Sequence, residues 1–378
     1  GYVIENALRF NKADSAHLAK THSASPTDGD VWSSSFWVKR TNLTALNYIL
    51  GTFGASKDGY IVFQANDTLK AYTDNASQTV GATTTQLFRD PTAWAHVLVT
   101  MDMAATPETH IYLNGVEVTD VTVDAGTGTS FSINLASQVH YMGRRGTTYF
   151  DGYLAEIIFI DGSVIATTDV GEVDANGNWV PIDPSGLTFG DDGSWLDFAV
   201  APGTGNGAGT DVSGNDNHWA ESGLAANDRV SDSPTDDADN DIGNYAIINP
   251  IAEVSSRPTL SDGNLKAVTG RGNPASIYVT EGQWYCEMVG PTAVGVARIP
   301  TTNAYRYSWD SAGGTYLYDG ANSRTWYNGA VVSTGLTAIS ATDVVGIAFD
   351  YDAASMAIYK NGSLIYPYRS LDLGDAGT

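Results

Sequence analysis

Apolar and polar residues alternate with a period of two along most of the chain, the pattern of half-buried β-strands. In the first half it marks ALRFN (7–11), VWSSSFWVKR (31–40), NYILGTF (47–53), GYIVFQ (59–64), TLKAY (68–72), AWAHVLVTMD (93–102), HIYLNGVEV (110–118), HYMGRR (140–145) and GYLAEIIFIDG (152–162) as closely spaced strands. HIYLNGVEV and, far downstream, AIYKNGSLI (357–365) each place Asn-Gly between apolar runs. That pair suits a two-residue hairpin turn, whose central residues both need positive φ. The preceding segments match as well: WAHVLVTMD (94–102) and DVVGIAFDYD (343–352) are alternating runs that end on acids. Each unit predicts strand, turn, strand, Asn-Gly, strand. A shorter copy is WYNGAVV (326–332). Asn-Gly hairpins are common in β proteins, but that accounts poorly for the matching strands before two of these. The best helix candidate is SVIATTDVGEV (163–173).

Composition supports an all-β chain. Its 378 residues include 40 Gly and 20 Tyr, with only 19 Lys and Arg, enough length for two or three domains with their own cores. The formal net charge of −24 argues against nucleic-acid partners, which need a Lys/Arg surface, and against anionic membranes. The lone Cys286 has no intrachain disulfide partner, and its strand context QWYCEMV predicts a small buried hydrophobe. No apolar run has membrane-spanning length, and no signal peptide is evident. The start at Gly1 rather than Met suggests a processed chain or a fragment.

Residues 1–162 form the first predicted sandwich. Its strand order, with Trp94 before HVLVTMD, the IYLNG hairpin, YMGRR, and Phe150-Asp151-Gly152 before LAEIIFIDG, resembles the LamG-like, concanavalin A-like jelly roll. The resemblance implies two stacked antiparallel sheets. Residues 163–255, rich in Gly, Pro, Asp and Asn, are expected to be an acidic connector that packs on this sandwich, with DVSGNDNHW (211–219) as an edge turn. Residues 256–378 carry GQWYCEMV, VGVARI, DVVGIAFD and IYKNG, and resemble a SPRY domain, another two-sheet sandwich. Such a unit normally continues past its KNG hairpin, so the ending LDLGDAGT implies a shortened chain or a partner that completes the sheet. The wider pattern LRFN, SFWVKR, FDGYLAEIIFIDG, DVSGNDNHW, DSPT, NY and NP resembles virion proteins of tailed bacteriophages. That resemblance implies a fibre, spike or capsid-surface component.

A glycosidase on such a fold needs two carboxylates flanking the scissile bond. The nearest string, EVDANG (172–177), offers Glu172 and Asp174 but has Gly177 where a second Glu belongs, and Glu156 has Ile158 at the position of a partner. The six histidines show no metal spacing and no G-x-S-x-G elbow is present; His96, His110 and His140 fall in or beside strands, where structural roles are expected. Calcium is a candidate cofactor at Asp237, Asp239 and Asp241 of DDADND, with Asp174, Asn176 and Asn178 or Asp151 as weaker sites. An EF-hand is excluded by Ile242 and Ile248 at its required Gly and Glu positions, and acidic loops are more often simply solvated. Sandwich loops present side chains on a rigid scaffold, so the candidate ligand contacts are Arg144, Arg145 and Tyr149 in the first half. In the second they are Tyr305, Tyr307, Trp309, Tyr316, Tyr318 and Trp326. Alternating Tyr and Trp in strands are also ordinary half-buried packing residues.

These features predict two concanavalin A-like antiparallel sandwiches in a non-enzymatic virion surface protein that recognises a host-surface glycan or protein. Its expected partners are other virion chains and further copies of itself. The alternatives are a structural head-decoration or fibre subunit, and a glycoside hydrolase.

Overall fold

A computed structural model of the chain describes all residues except 23–25, 54–56, 107, 130, 253–257, 269–272, 298–314, 328–329 and 370–378. The described residues form antiparallel strands and short 3-10 turns, with no α-helix. They divide into two compact units, Gly1–Pro250 with Ser261–Lys266, and Ile251–Leu260 with Ala267–Thr378.

The first unit is a sandwich of two eight-stranded sheets. One runs Val116–Glu117, Thr109–Leu113, Ala95–Asp102, Val31–Arg40, Gly152–Asp161, Ala7–Phe10, Arg229–Val230, with Ser194–Leu196 also paired to Gly152–Asp161. The other runs Val121–Asp124, Thr79–Thr84, Leu69–Asp74, Asp58–Phe63, Asn47–Phe53, Val139–Met142, His17–Thr21, Ala220–Ser222. Alternate side chains of both sheets fill one core, including Phe10, Leu18, Trp32, Phe36, Ile61, Phe63, Leu69, Met142, Leu154 and Phe159. Two of the Asn-Gly turns are as the sequence predicts: Asn114 and Gly115 have φ of 46° and 79°, Asn361 and Gly362 of 49° and 78°, while Asn328 and Gly329 of the shorter copy lie outside the described residues. They close the Leu113–Val116 and Lys360–Ser363 pairs.

Of residues 163–255, expected as a connector, 163–250 supply strands to both sheets and fall within the first unit, and 251–255 fall in the second. The helix candidate at 163–173 is instead a 3-10 turn, Thr167–Asp169, followed by the strand Gly171–Val173. The β-branched Val164, Ile165, Thr167, Thr168 and Val170 disfavour an α-helix there. Apolar side chains of this strap, among them Leu196, Phe198 and Trp219, enter the sandwich core, and buried polar pairs fasten it as well. The fully buried Lys39 ammonium donates to both Asp232 oxygens (3.0 and 2.8 Å), to Asn244 (2.9 Å) and to the Tyr245 carbonyl (2.6 Å). Trp94 Nε1 also donates to Asp232 (3.0 Å), and Arg9 pairs with Asp228 (2.9 Å). In the DVSGNDNHW turn, Asp211 accepts the Trp195, Ser213 and Asn217 amides, while Asn215 and Asn217 donate to carbonyls at 190–193. The motifs LRFN, SFWVKR, DSPT and NY are thus joined in space.

A bulge interrupts Gly152–Asp161 between Ala155 and Ile158 and turns Glu156 outward with φ of 47°. Its carboxyl is buried, accepts hydrogen bonds from Tyr2 Oη (3.2 Å) and Trp195 Nε1, and has its pKa pushed up to about 8, chiefly by desolvation.

The second unit has two four-stranded sheets: Gln283–Val289, Val344–Asp350, Ser355–Lys360, Ser363–Arg369, and Ala293–Ala297, Thr315–Asp319, Arg324–Tyr327, Ala330–Thr334. Val294, Tyr316, Tyr318, Val345, Ile347, Met356 and Ile358 form its core. Cys286 is not the buried hydrophobe expected from its context. It is exposed, because every residue of Gln283–Val289 is exposed and the strand pairs with a neighbour on one edge only among the described residues.

Candidate functional site

The outward face of the second sheet of the first unit carries a concentration of aromatic and charged side chains. In Leu69–Asp74 and Asp58–Phe63 the alternation sends Leu69, Ala71, Ile61 and Phe63 into the core. It leaves Lys70, Tyr72, Asp74, Asp58 and Tyr60 on the other side. Register then aligns them in a lateral row: Gly81 opposite Tyr72, Tyr72 opposite Tyr60, Tyr60 opposite Gly51, Gly51 opposite Tyr141, and Tyr141 opposite Ala19.

Gly51 is where the row opens to admit a hairpin. A Cβ there would lie 2.6 Å from the Arg144 carbonyl oxygen and 3.0 Å from Arg145 Cβ. Gly143, at φ of 79°, turns the chain out of the sheet, and Arg144–Arg145 pairs with Thr148–Tyr149 over the glycine. Phe150 then returns to the core, edge-on to Phe10 at 5.8 Å. The sequence candidates Arg144, Arg145 and Tyr149 therefore share one short hairpin set on a tyrosine floor.

Tyr60 and Tyr72 stack at 4.8 Å and 20°, and Tyr48 meets Tyr60 edge-on at 5.5 Å. The stacking distance equals the strand spacing, so these two rings face each other and turn their edges and hydroxyls outward. Burial, with Tyr48 and Tyr72 alongside, pushes the Tyr60 pKa up to about 12, which keeps its hydroxyl a neutral donor and acceptor. Arg145 lies 5.0 Å from the Tyr60 ring centre and 5.5 Å from that of Tyr48, and both of its outer nitrogens reach polar partners: Asp58 and the Tyr48 hydroxyl. Lys70 sits over Tyr72 at 4.8 Å and pairs with Asp124 at 3.0 Å. Arg144 lies over Tyr141 at 4.8 Å and Tyr149 at 5.5 Å, and donates to Gly146 O (2.7 Å) and His17 Nε2 (3.1 Å). Tyr48, Tyr60, Tyr72, Tyr141 and His17 were not singled out in the sequence. Only pairing register brings them together, and register is not written in any one strand.

The other candidates lie elsewhere. Tyr305, Tyr307 and Trp309 fall outside the described residues. Tyr316 and Tyr318 are core residues, 1% and 0% exposed, rather than contacts. Trp326 is half-buried under Arg324, 4.6 Å from its ring, and Nε1 donates to the buried Asp319. The calcium candidates, Asp237, Asp239 and Asp241 included, do not converge as a group of three carboxylates. Asp237 caps the 3-10 turn Ala238–Asn240, and its two oxygens accept from the Asp239 amide (3.1 Å) and Asn240 Nδ2 (2.8 Å). Asp174 likewise accepts the Asn176 and Asn178 amides (2.8 Å each), and Asp151 pairs with Lys12 at 3.3 Å. Among the described residues no three acidic, imidazole or thiol side chains converge as a metal site. Buried His96 and His140 have structural bonds, to Ser35 Oγ and to Asn134 N and Gln138 O, while His110 pairs with Glu117 across its hairpin.

Fold and face together define an antiparallel two-sheet sandwich with a polar, tyrosine-rich sheet surface. Residues 12–168 match the family model Laminin_G_3, described as the concanavalin A-like lectin/glucanases superfamily. No curated protein matches the chain. Similar solved structures include a putative carbohydrate binding protein from Bacteroides ovatus, with 18% identity over 58% of this chain and 58% of that one, TM-score 0.38. Others are the heptameric SAP-like pentraxin of Limulus polyphemus (14%, 44% and 80%, TM-score 0.34) and domains LG4-5 of the mouse laminin α1 chain (10%, 98% and 79%, TM-score 0.36).

Proposed function

We propose that the first unit is a non-catalytic glycan-binding module and that its ligand lies on the outward face of the second sheet. The observation that carries this is the row Tyr72, Tyr60 and Tyr141 beside Tyr149 and the two arginines, with buried Tyr48 packed edge-on to Tyr60. Ring edges, phenol hydroxyls and guanidinium N–H groups on a rigid sheet suit a ligand that is hydroxyl-rich on its edges and apolar between them, as a sugar chain is. The description of the matching family, lectins and glucanases, agrees with a saccharide. The carboxylates weighed for catalysis are placed apart: Glu172 is exposed, Asp174 is tied into its own turn, and Glu156 is buried beneath Tyr2 and Trp195.

Titration of the purified chain against an oligosaccharide panel tests this. Tyr60→Ala and Tyr72→Ala are expected to weaken binding by about 1–2 kcal/mol each, roughly 5–30-fold. Binding that survives both substitutions unchanged would move the ligand to another surface.

The virion setting rests on the motif pattern, and we place the module on a phage particle surface as a host-recognition component. A second reading, an assembly subunit that binds other virion chains or its own copies, is favoured by Gln283–Val289. This strand, with one edge unpaired among the described residues, exposes Trp284 (48%), Tyr285 (57%) and Val289 (72%), a surface suited to strand addition by a partner. Light scattering that finds a monomer at all concentrations, with no association to virion chains, would remove it.

A further inference from the structure

The two adjacent arginines of the site hairpin are in different electrostatic states, and the difference specifies the ligand. Arg145 is clasped by both oxygens of Asp58, so its charge is matched within the protein. Arg144 has no carboxylate partner among the described residues; its bonds go to a carbonyl oxygen and to an imidazole nitrogen. Arg9, Arg40, Arg89 and Arg324, by contrast, all pair with aspartates. Arg229 also lacks such a partner, but it is exposed and simply donates to the Ala199 carbonyl. In a chain with 43 acidic residues against 19 basic ones, carboxylates are abundant, yet half-buried Arg144 is set apart from them.

His17 reinforces this separation. Its Nδ1 donates to the Ser15 carbonyl (2.7 Å), so Nε2 carries no proton and accepts from Arg144, and the ring is neutral. Tyr141 and Tyr149 hold the guanidinium by their ring faces, which fixes its plane and leaves its charge in place. A planar, oriented guanidinium with no carboxylate partner among the described residues matches a carboxylate or sulfate, which Nη2, the nitrogen not engaged by Gly146 O or His17, is placed to meet.

Building on the glycan-binding reading above, we propose that the ligand is an acidic saccharide and that Arg144 is the subsite for its anionic group. The tyrosine row takes the sugar rings and Arg144 takes the carboxylate or sulfate ester.

The test uses acidic and neutral pairs: oligogalacturonate against its methyl ester, sulfated against desulfated galactan, and a sialylated glycan against its asialo form. The wild-type chain is expected to bind at least one acidic member about tenfold or more tighter than its neutral partner. The pair that shows the preference distinguishes carboxylate from sulfate. Arg144→Gln should abolish the preference, Arg144→Lys should keep part of it, and Tyr60→Ala should weaken both members alike. The melting temperature of each variant reports folding independently. Equal binding of acidic and neutral partners, or an unchanged preference in Arg144→Gln, overturns the acidic-ligand proposal and leaves the glycan-binding reading standing. Binding to no member overturns both.

Discussion

Glu156 is a carboxyl kept from water on the outward side of a bulge, and its ionisation is tied to folding. The unfolded chain releases this proton near the ordinary 4.5, whereas the folded protein holds it until about 8. Between these values the unfolded state binds fewer protons, so this group's contribution to stability is full below 4.5 and is lost as pH rises through 8. The span corresponds to up to about 5 kcal/mol. Glu156→Gln keeps an acceptor for Tyr2 and Trp195 but has no proton to lose. Denaturant melts from pH 5 to 9 should therefore fall more steeply for the wild type, with the variant the more stable above pH 8. Parallel pH profiles would show that this carboxyl is not the titrating group.

Elements explain both what could be foreseen and what could not. Strands such as Val31–Arg40, Ala95–Asp102 and Gly152–Asp161 announce themselves by long β-branched and aromatic alternation, and the Asn-Gly hairpins by their turn chemistry. Thr79–Thr84 is TVGATT, small residues without a strong apolar period, and His17–Thr21 is HLAKT, short and half-polar. They become strands because neighbours pair with them on both sides. The site divides the same way. Adjacent arginines in an acidic chain are visible as letters, whereas the tyrosine row exists only through cross-strand register.

Gly51 shows how closely that register governs the site. Gly51→Ala would push a methyl group into the Arg144 carbonyl at 2.6 Å. It is expected to cost about 1–3 kcal/mol and to shift the hairpin off its floor, lowering ligand affinity along with stability. Unchanged binding with an unchanged melt would mean that the hairpin does not rest on this glycine.

At the scale of the whole molecule, the first unit runs well past the segment that matches the family model. Asp228, Asp232 and Trp219 all come from beyond residue 168, and each satisfies or packs against a group of the sandwich. A chain ending at residue 162 would lose Leu196, Phe198 and Trp219 from the sandwich core and the three strands that pair with its sheets, exposing the apolar surface they cover. It should therefore be insoluble or unfolded, whereas residues 1–266 should give a cooperative melt like that of the full chain's first unit. Circular dichroism and calorimetry of the two truncations would check this, and a well-folded 1–162 fragment would refute it.

The strap also makes the fold tolerant of a broken backbone. Residues 203–206 form an exposed turn, while the sequence on its far side is tied to the opening strands through Ala220–Ser222, Arg229–Val230 and the Lys39–Asp232 pair. A protease nick at that turn would yield two polypeptides that co-migrate under native conditions and separate only when denatured. The same opening offers a place to relocate the chain ends or to divide the module into two complementing halves.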